Sequence, residues 1–135
     1  MRVNANVKVK LNDKLIHELE HGAKLKALEK TIQWVLTEVI TSGKVPKDTG
    51  ALEVSGFVKV INESLGKVIF DTPYARRWYF NYPNPKTGNV AVFSTDKNPN
   101  AQDHWMDDFV HGDRRQEAIE MFASFYREEL GEILS

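Results

Sequence analysis

Cysteine is absent from this 135-residue chain, which excludes a disulfide framework, thiolate metal sites and cysteine nucleophiles. No apolar run is long enough to span a bilayer, and the opening MRVNANVKVKL has no apolar signal-peptide core. A soluble product made in the cytoplasm is therefore expected. An excess of one charge is also missing: 18 Lys and Arg stand against 19 Asp and Glu, a net charge of -1. A dedicated nucleic-acid binder normally carries a basic balance, so that class loses ground. Glycine and proline number only 8 and 5, with 41% hydrophobic and 27% charged residues, which argues against wholesale disorder. What is present is enough chain for one domain, residues 1–135, with a real hydrophobic core.

The apolar pattern gives the element order. Val3, Ala5, Val7, Val9 and Leu11 alternate with polar residues, the signature of a half-buried strand. Asn12 or Asp13 can then cap a helix running to about Thr41. Inside it Leu15, Ile16, Leu19 and Ala23 form one stripe, while Leu25, Leu28, Ile32, Val35, Leu36 and Val39 form another on a different side. Gly22 lies between them, so a bend, a break or two packing partners is expected. SGKVPKDTG from Ser42 ends the helix. A strand is expected from Val54, a hairpin connection over Asn62–Gly66, and strands over Lys67–Asp71 and Val90–Ser94. Trp105–Val110 predicts a helical turn. From about Asp113 an amphipathic helix places Ala118, Phe122, Phe125, Tyr126 and Ile133 on one side. The fold class is α+β: a small, mostly antiparallel sheet with a long N-terminal helix and a C-terminal helix packed on it.

Two short motifs invite an enzymatic reading. HELEH, His17–His21, matches H-E-x-x-H, in which two histidines four apart bind zinc and the glutamate activates a water. A zinc metallopeptidase would need a third ligand, an open coordination position and a substrate cleft. Glu38 lies on the same predicted helix roughly 25 Å beyond His21, and nothing around His104 recommends it. His17 and His21 also lie away from the local apolar stripe, and Glu20 adds a carboxylate that suits a solvated face. The second motif, Asp48-Thr49-Gly50-Ala51, spells the D-T-G-A of retroviral-type aspartic peptidases. There the aspartate follows a buried apolar strand so that two carboxylates can share a proton; here the polar Lys44–Lys47 precedes it. A turn into the sheet is the better reading, with Gly50 in a conformation other residues avoid.

No Gly-rich nucleotide loop is present, and Ser55 and Ser94 have no evident histidine partner. Asp107-Asp108 and Glu128-Glu129 are adjacent rather than a helical turn apart, which suits solvated pairs better than catalytic ones. Catalytic, cofactor and metal residues are therefore expected to be none. The unusual chemistry lies in TPYARRWYFNYPNP, where Tyr74, Trp78, Tyr79, Phe80 and Tyr82 surround Arg76 and Arg77. Aromatics with arginine dominate protein–protein hot spots, and the same mixture can stack nucleic-acid bases. About half of these rings are expected to plug the core instead. The long loop Thr95–His104, ending at Trp105, is of a length that often serves function.

Three segments carry a family resemblance: VPKDTGALEVSG, DTPYARRWYFNYPNPKTGNVAVF and NPNAQDHWMDDF, followed by a C-terminal helix. In this order they resemble the minor capsid proteins of tailed bacteriophages, within the head–tail joining or tail-completion group. The matching positions are Pro46, Asp48, Thr49, Gly50, Leu52 and Ser55; then Thr72 to Arg76; then Asn98, Pro99, Ala101 and Trp105. The stretch from Pro85 to Asn98 is shorter than in many members, so contacts of that loop are not carried over. The resemblance implies a structural virion protein of a phage or prophage, with copies forming an oligomeric ring between the portal end of the capsid and the tail. Its partners would be other copies of itself and neighbouring neck, portal-adaptor or tail proteins, with phage DNA passing nearby and no membrane. On this reading Asp48, Thr49, Gly50, Leu52 and Ser55 shape the turn into the sheet. Tyr74, Arg76, Arg77, Trp78, Tyr79 and Trp105 are the candidates for subunit contacts. The alternatives are the zinc metallopeptidase and a small nucleic-acid-binding or adaptor module.

Overall fold

The computed structural model describes residues 2–47, 50–93, 95, 97, 98 and 100–134, with side chains described from Lys14 to Glu132. A single helix, α1 (Arg2–Thr41), runs through the first third of the chain. Short α2 (Ala51–Val54) leads into an antiparallel hairpin of β1 (Gly56–Asn62) and β2 (Leu65–Phe70). Then come α3 (Ala75–Phe80), a long loop, α4 (Asp107–Val110) and α5 (Arg115–Leu134). The architecture is α+β, as the residue pattern implies.

The middle and C-terminal part of α1 is packed on two sides, while of the first apolar stripe only Ala23 is buried. On one side lies the hairpin. Gly66 faces Ile32 so closely that an added Cβ would stand 2.8 Å from the isoleucine Cδ1, and one on Gly56 would stand 2.9 Å from Leu36 Cδ1. These two glycines let the backbone of the hairpin approach the helix. Pairing runs from Gly56↔Phe70 through Val58↔Val68 to Val60↔Gly66, with an irregularity between Val60 and Asn62.

On the other side α5 runs back antiparallel. Arg114, just before α5, pairs with Glu38 near the end of α1, and Glu129 pairs with Lys30 farther back. Ala23 and Ala27 are fully buried and share by helical spacing the face of Lys30 and Trp34 that α5 meets. Small residues there allow close helix packing. At its end α1 closes with Ser42 N–H donating to Glu38 O at 2.9 Å and Gly43 in the left-handed region at φ 72°, a common helix stop.

The core lies where this end of α1 meets the later segments: Val39, Val45, Leu52, Ala75 and Trp105 are buried, with Val35, Phe70, Tyr74, Trp78, Tyr79, Met106 and Phe109 around them. Burial of so many rings stabilises the fold by about 25 cal/mol per Å² of apolar surface removed from water.

Three sequence expectations are corrected. Val3–Leu11 is helix rather than strand: these residues belong to α1, while β1 and β2 pair with each other. Of the alternatives expected at Gly22, the helix shows no break and meets two packing partners, because one glycine lowers helix propensity by only about 1 kcal/mol and a long helix absorbs it. The strand begins at Gly56, not Val54, because Gly50 opens a helical turn that carries Val54 out to 85% exposure. Residues 90–93 form no strand; Ala91 is held by a side chain instead, as described below.

Candidate functional site

The three segments that carry the family resemblance converge on one packing unit. From the first, Leu52 is 2% exposed and Gly50 caps α2 at φ 86°, a left-handed turn that leads into a short helix ahead of β1 rather than directly into the sheet. Asp48 and Thr49 lie outside the described residues. Ser55 Oγ donates to Leu52 O at 2.6 Å and accepts the Asp71 N–H at 3.1 Å, so one hydroxyl ties α2 to the end of the hairpin. From the second segment, Ala75 enters the same cluster. From the third, Asn98 Nδ2 donates to Val45 O at 2.7 Å and the Trp105 ring fills the centre.

The aromatic and arginine-rich stretch is the short helix α3, and helical spacing sorts its residues. Ala75, Trp78 and Tyr79 turn inward, while Arg76, Arg77 and Phe80 are exposed. Tyr79 stands edge-on to Trp105 with centroids 4.9 Å apart, and Phe70 meets the other side at 5.7 Å. Tyr74 and Trp78 lie 4.4 Å apart, with Phe93 of the loop against Trp78 at 5.7 Å. Of the candidate contact residues, Trp105 is thus a core residue, 2% exposed, with no ring surface for a neighbour. Tyr74, Trp78 and Tyr79 are half-buried supports. Arg76 and Arg77 alone of the six are fully presented, and neither forms an ion pair among the described residues. Phe80 and Tyr82 extend this surface as a stacked pair at 5.7 Å and 16°.

The loop behind α3 is built by asparagines. Asn81 adopts φ 51° at the end of α3, a conformation asparagine tolerates better than most residues. Its amide accepts from Ala91 N–H at 2.8 Å and donates to Ala91 O and Asp103 Oδ2, both at 3.1 Å. One side chain thus does for residue 91 what a neighbouring strand would do. Asn98 and Asn100 bond to Val45 O and Ser42 O, and the Gln102 N–H to Lys44 O, anchoring the loop to the end of α1. These asparagines were missed as site-builders; the cluster of turn-formers in NYPNPKTGN and TDKNPN was their signal.

Electrostatics fix the same region. Tyr79 Oη donates to Asp107 Oδ1 at 2.9 Å, and burial, then this bond, pushes the phenol well above its ordinary range. The bond from His104, then the one from Asn81, holds the Asp103 carboxyl below the usual carboxylate range. Arg114 bonds Glu117 and Glu38 while its guanidinium lies 4.5 Å from the Phe109 ring and 5.6 Å from Trp34, and these carboxylates keep it charged. The adjacent acids are not simply solvated, as their spacing suggested. Asp107 accepts from Tyr79, Asp108 pairs with Lys44, and Glu129 is buried at 4% against Lys30 Nζ at 2.6 Å.

HELEH lies on exposed helix. His21 Nδ1 contacts Glu63 Oε2 of the hairpin turn at 2.8 Å, which holds that carboxyl below its usual range, and His17 reaches Glu20 at 4.0 Å. Glu38 stays with Arg114 and His104 with Asp103. Among the described residues no three His, Cys, Asp or Glu side chains converge as a metal-binding group. No described helix is long and apolar enough to cross a membrane.

Compared with protein-family models, curated proteins and solved structures, the chain gives no match.

Proposed function

We propose that this chain is a structural, non-enzymatic minor capsid protein of a tailed phage or prophage, a head–tail joining or tail-completion component. Its place is the virion, in an oligomeric ring between the portal end of the capsid and the tail. The observation that carries this reading is the convergence described above. Leu52, Ala75 and Trp105, one from each segment of the resemblance, share one buried cluster. The segments therefore act as a unit, and the unit serves to display a surface of Arg76, Arg77, Phe80 and Tyr82.

The rest of the molecule suits assembly. Among the described residues the hairpin has two strands and no further strand at either edge, and its outer face shows Phe57 and Ile61 at 43% and 45% exposure. Edges and apolar faces of this kind pair with neighbours. The net charge of -1 fits a lumen through which DNA slides, because many phosphate contacts would hinder its exit.

The test is to purify particles from cells that carry this gene. The protein is expected at low copy number in mature particles, with immunogold label at the head–tail junction. Particles that lack it overturn the reading. Replacing Arg76 and Arg77 by alanine is expected to leave the fold intact and impair particle assembly; normal assembly removes these arginines from the interface.

A further inference from the structure

The ring reading leaves open which surfaces of the chain meet. Two apolar features stand out because each fits the other and they occupy different faces of one rod.

The first is a ridge. Leu15, Ile16 and Leu19 of α1 are 54%, 50% and 38% exposed. At helical spacing they span an arc of about 100°, bordered by Glu18 on one side and Glu20 on the other. The face continues that of Ala23, buried where α5 covers α1. α1 is 40 residues long and α5 is 20, so by length α1 outreaches its cover by about 30 Å.

The second is a groove of about 620 Å³ between the hairpin turn and α5, floored by α1. Its apolar lining includes Leu28, Leu65, Ile119 and Phe122, and its basic residues are Lys24 and Arg115. Leu65 and Ile119 are 44% and 52% exposed. Its single acid, Glu63, is engaged by His21.

We infer that the acid-bordered ridge of one copy docks into the basic-bordered apolar groove of the next. Charge complementarity selects the occupant: glutamates flank the ridge and cations flank the groove, so ridge meeting ridge would set like charges together. A chain cannot fill its own groove. Ridge and groove floor point roughly 140° apart around the continuous helix α1. The contact is therefore heterologous, head to tail, and repeats around a closed ring or along a filament rather than ending in a two-fold dimer.

The cysteine-free chain makes the test direct. Leu19→Cys and Ile119→Cys variants are purified and mildly oxidised at millimolar concentration, alone and mixed. The mixture is expected to give a disulfide-linked dimer, each variant alone essentially none, and the double variant a ladder of multimers. Glu18→Lys with Glu20→Lys is expected to slow cross-linking about tenfold, and Lys24→Glu with Arg115→Glu in the partner to restore it. Dimerisation of Leu19→Cys alone, or no cross-link in the mixture, overturns the inference. This inference rests on the ring reading, yet the two fail separately. Protein found at the particle neck without cross-linking removes only this interface, and cross-linking without virion incorporation removes only the neck assignment.

Discussion

The two halves of α1 obey the same helical spacing and meet opposite fates. Past Gly22, Ala23, Ala27, Ile32, Leu36 and Val39 are all at most 8% exposed, whereas before it Leu15 and Ile16 are half in water. Residue type does not distinguish them, since leucine and isoleucine occur in both. The difference lies in the partner: the hairpin and α5 close over one half and end before the other. Apolar spacing therefore reports what a helix is able to bury, and only the tertiary neighbours decide what it does bury.

The sharpest ways to break this contrast begin with the ring beneath the covered half. Trp105→Ala is expected to cost about 3–5 kcal/mol, because a fully buried indole leaves a cavity that the cluster around Val39 and Leu52 cannot refill. Chemical denaturation followed by far-UV circular dichroism checks it. Next, Leu36→Ala in the covered half is expected to cost about 2–5 kcal/mol, read in the same assay. Arg114→Ala is expected to cost about 1–2 kcal/mol, since its bonds to Glu38 and Glu117 are part-exposed and its stacking on Phe109 is only part of the contact.

A smaller effect comes from pH. The Tyr79 phenol is raised above its ordinary value of 10.0, so its contribution is complete below that value. It is lost as pH climbs toward the folded value, because the unfolded chain releases this proton first. An ultraviolet titration is expected to place the Tyr79 phenol above its ordinary value, with unfolding stability falling above pH 10.0. Tyr79→Phe should remove that slope. Smallest of all, Leu15→Ala is expected to change monomer stability by less than about 0.5 kcal/mol. A loss near that of Leu36→Ala would mean that the exposed half is covered within the monomer, and would dissolve the contrast.

How much of this was legible beforehand follows the same logic. The end of α1 at Thr41, the hairpin turn near Glu63 and the amphipathic α5 rest on local signals such as Ser42-Gly43, the turn residues and helical spacing, and these were readable. The turn at Gly50 and the core role of several aromatics were readable for the same reason. Val3–Leu11 and Val90–Ser94 alternate like strands, but strand formation depends on a neighbour that the local pattern does not name. Trp105 looked like a contact residue because aromatic side chains serve cores and interfaces with equal chemistry; only the convergence of Val39, Leu52 and Ala75 on it decides between them. Asn81 was hidden because a single amide substituting for a strand has no periodicity to betray it. The ridge and groove were visible only as unassigned apolar residues, since their complementarity depends on where the hairpin turn and α5 come to rest.

Gly22 sits at the seam between the two halves, with nothing within 4 Å of the place a Cβ would occupy. It is the weakest helix former in a helix without a break, placed between His21, which reaches the hairpin turn at Glu63, and the buried Ala23. Backbone amides on the Arg2 side of this glycine can exchange with deuterium through opening of the helix end alone, whereas those beyond it wait for the larger cooperative unit that includes the hairpin and α5. Deuterium exchange along α1 is therefore expected to step at the seam, with the uncovered turns exchanging ahead of the covered ones.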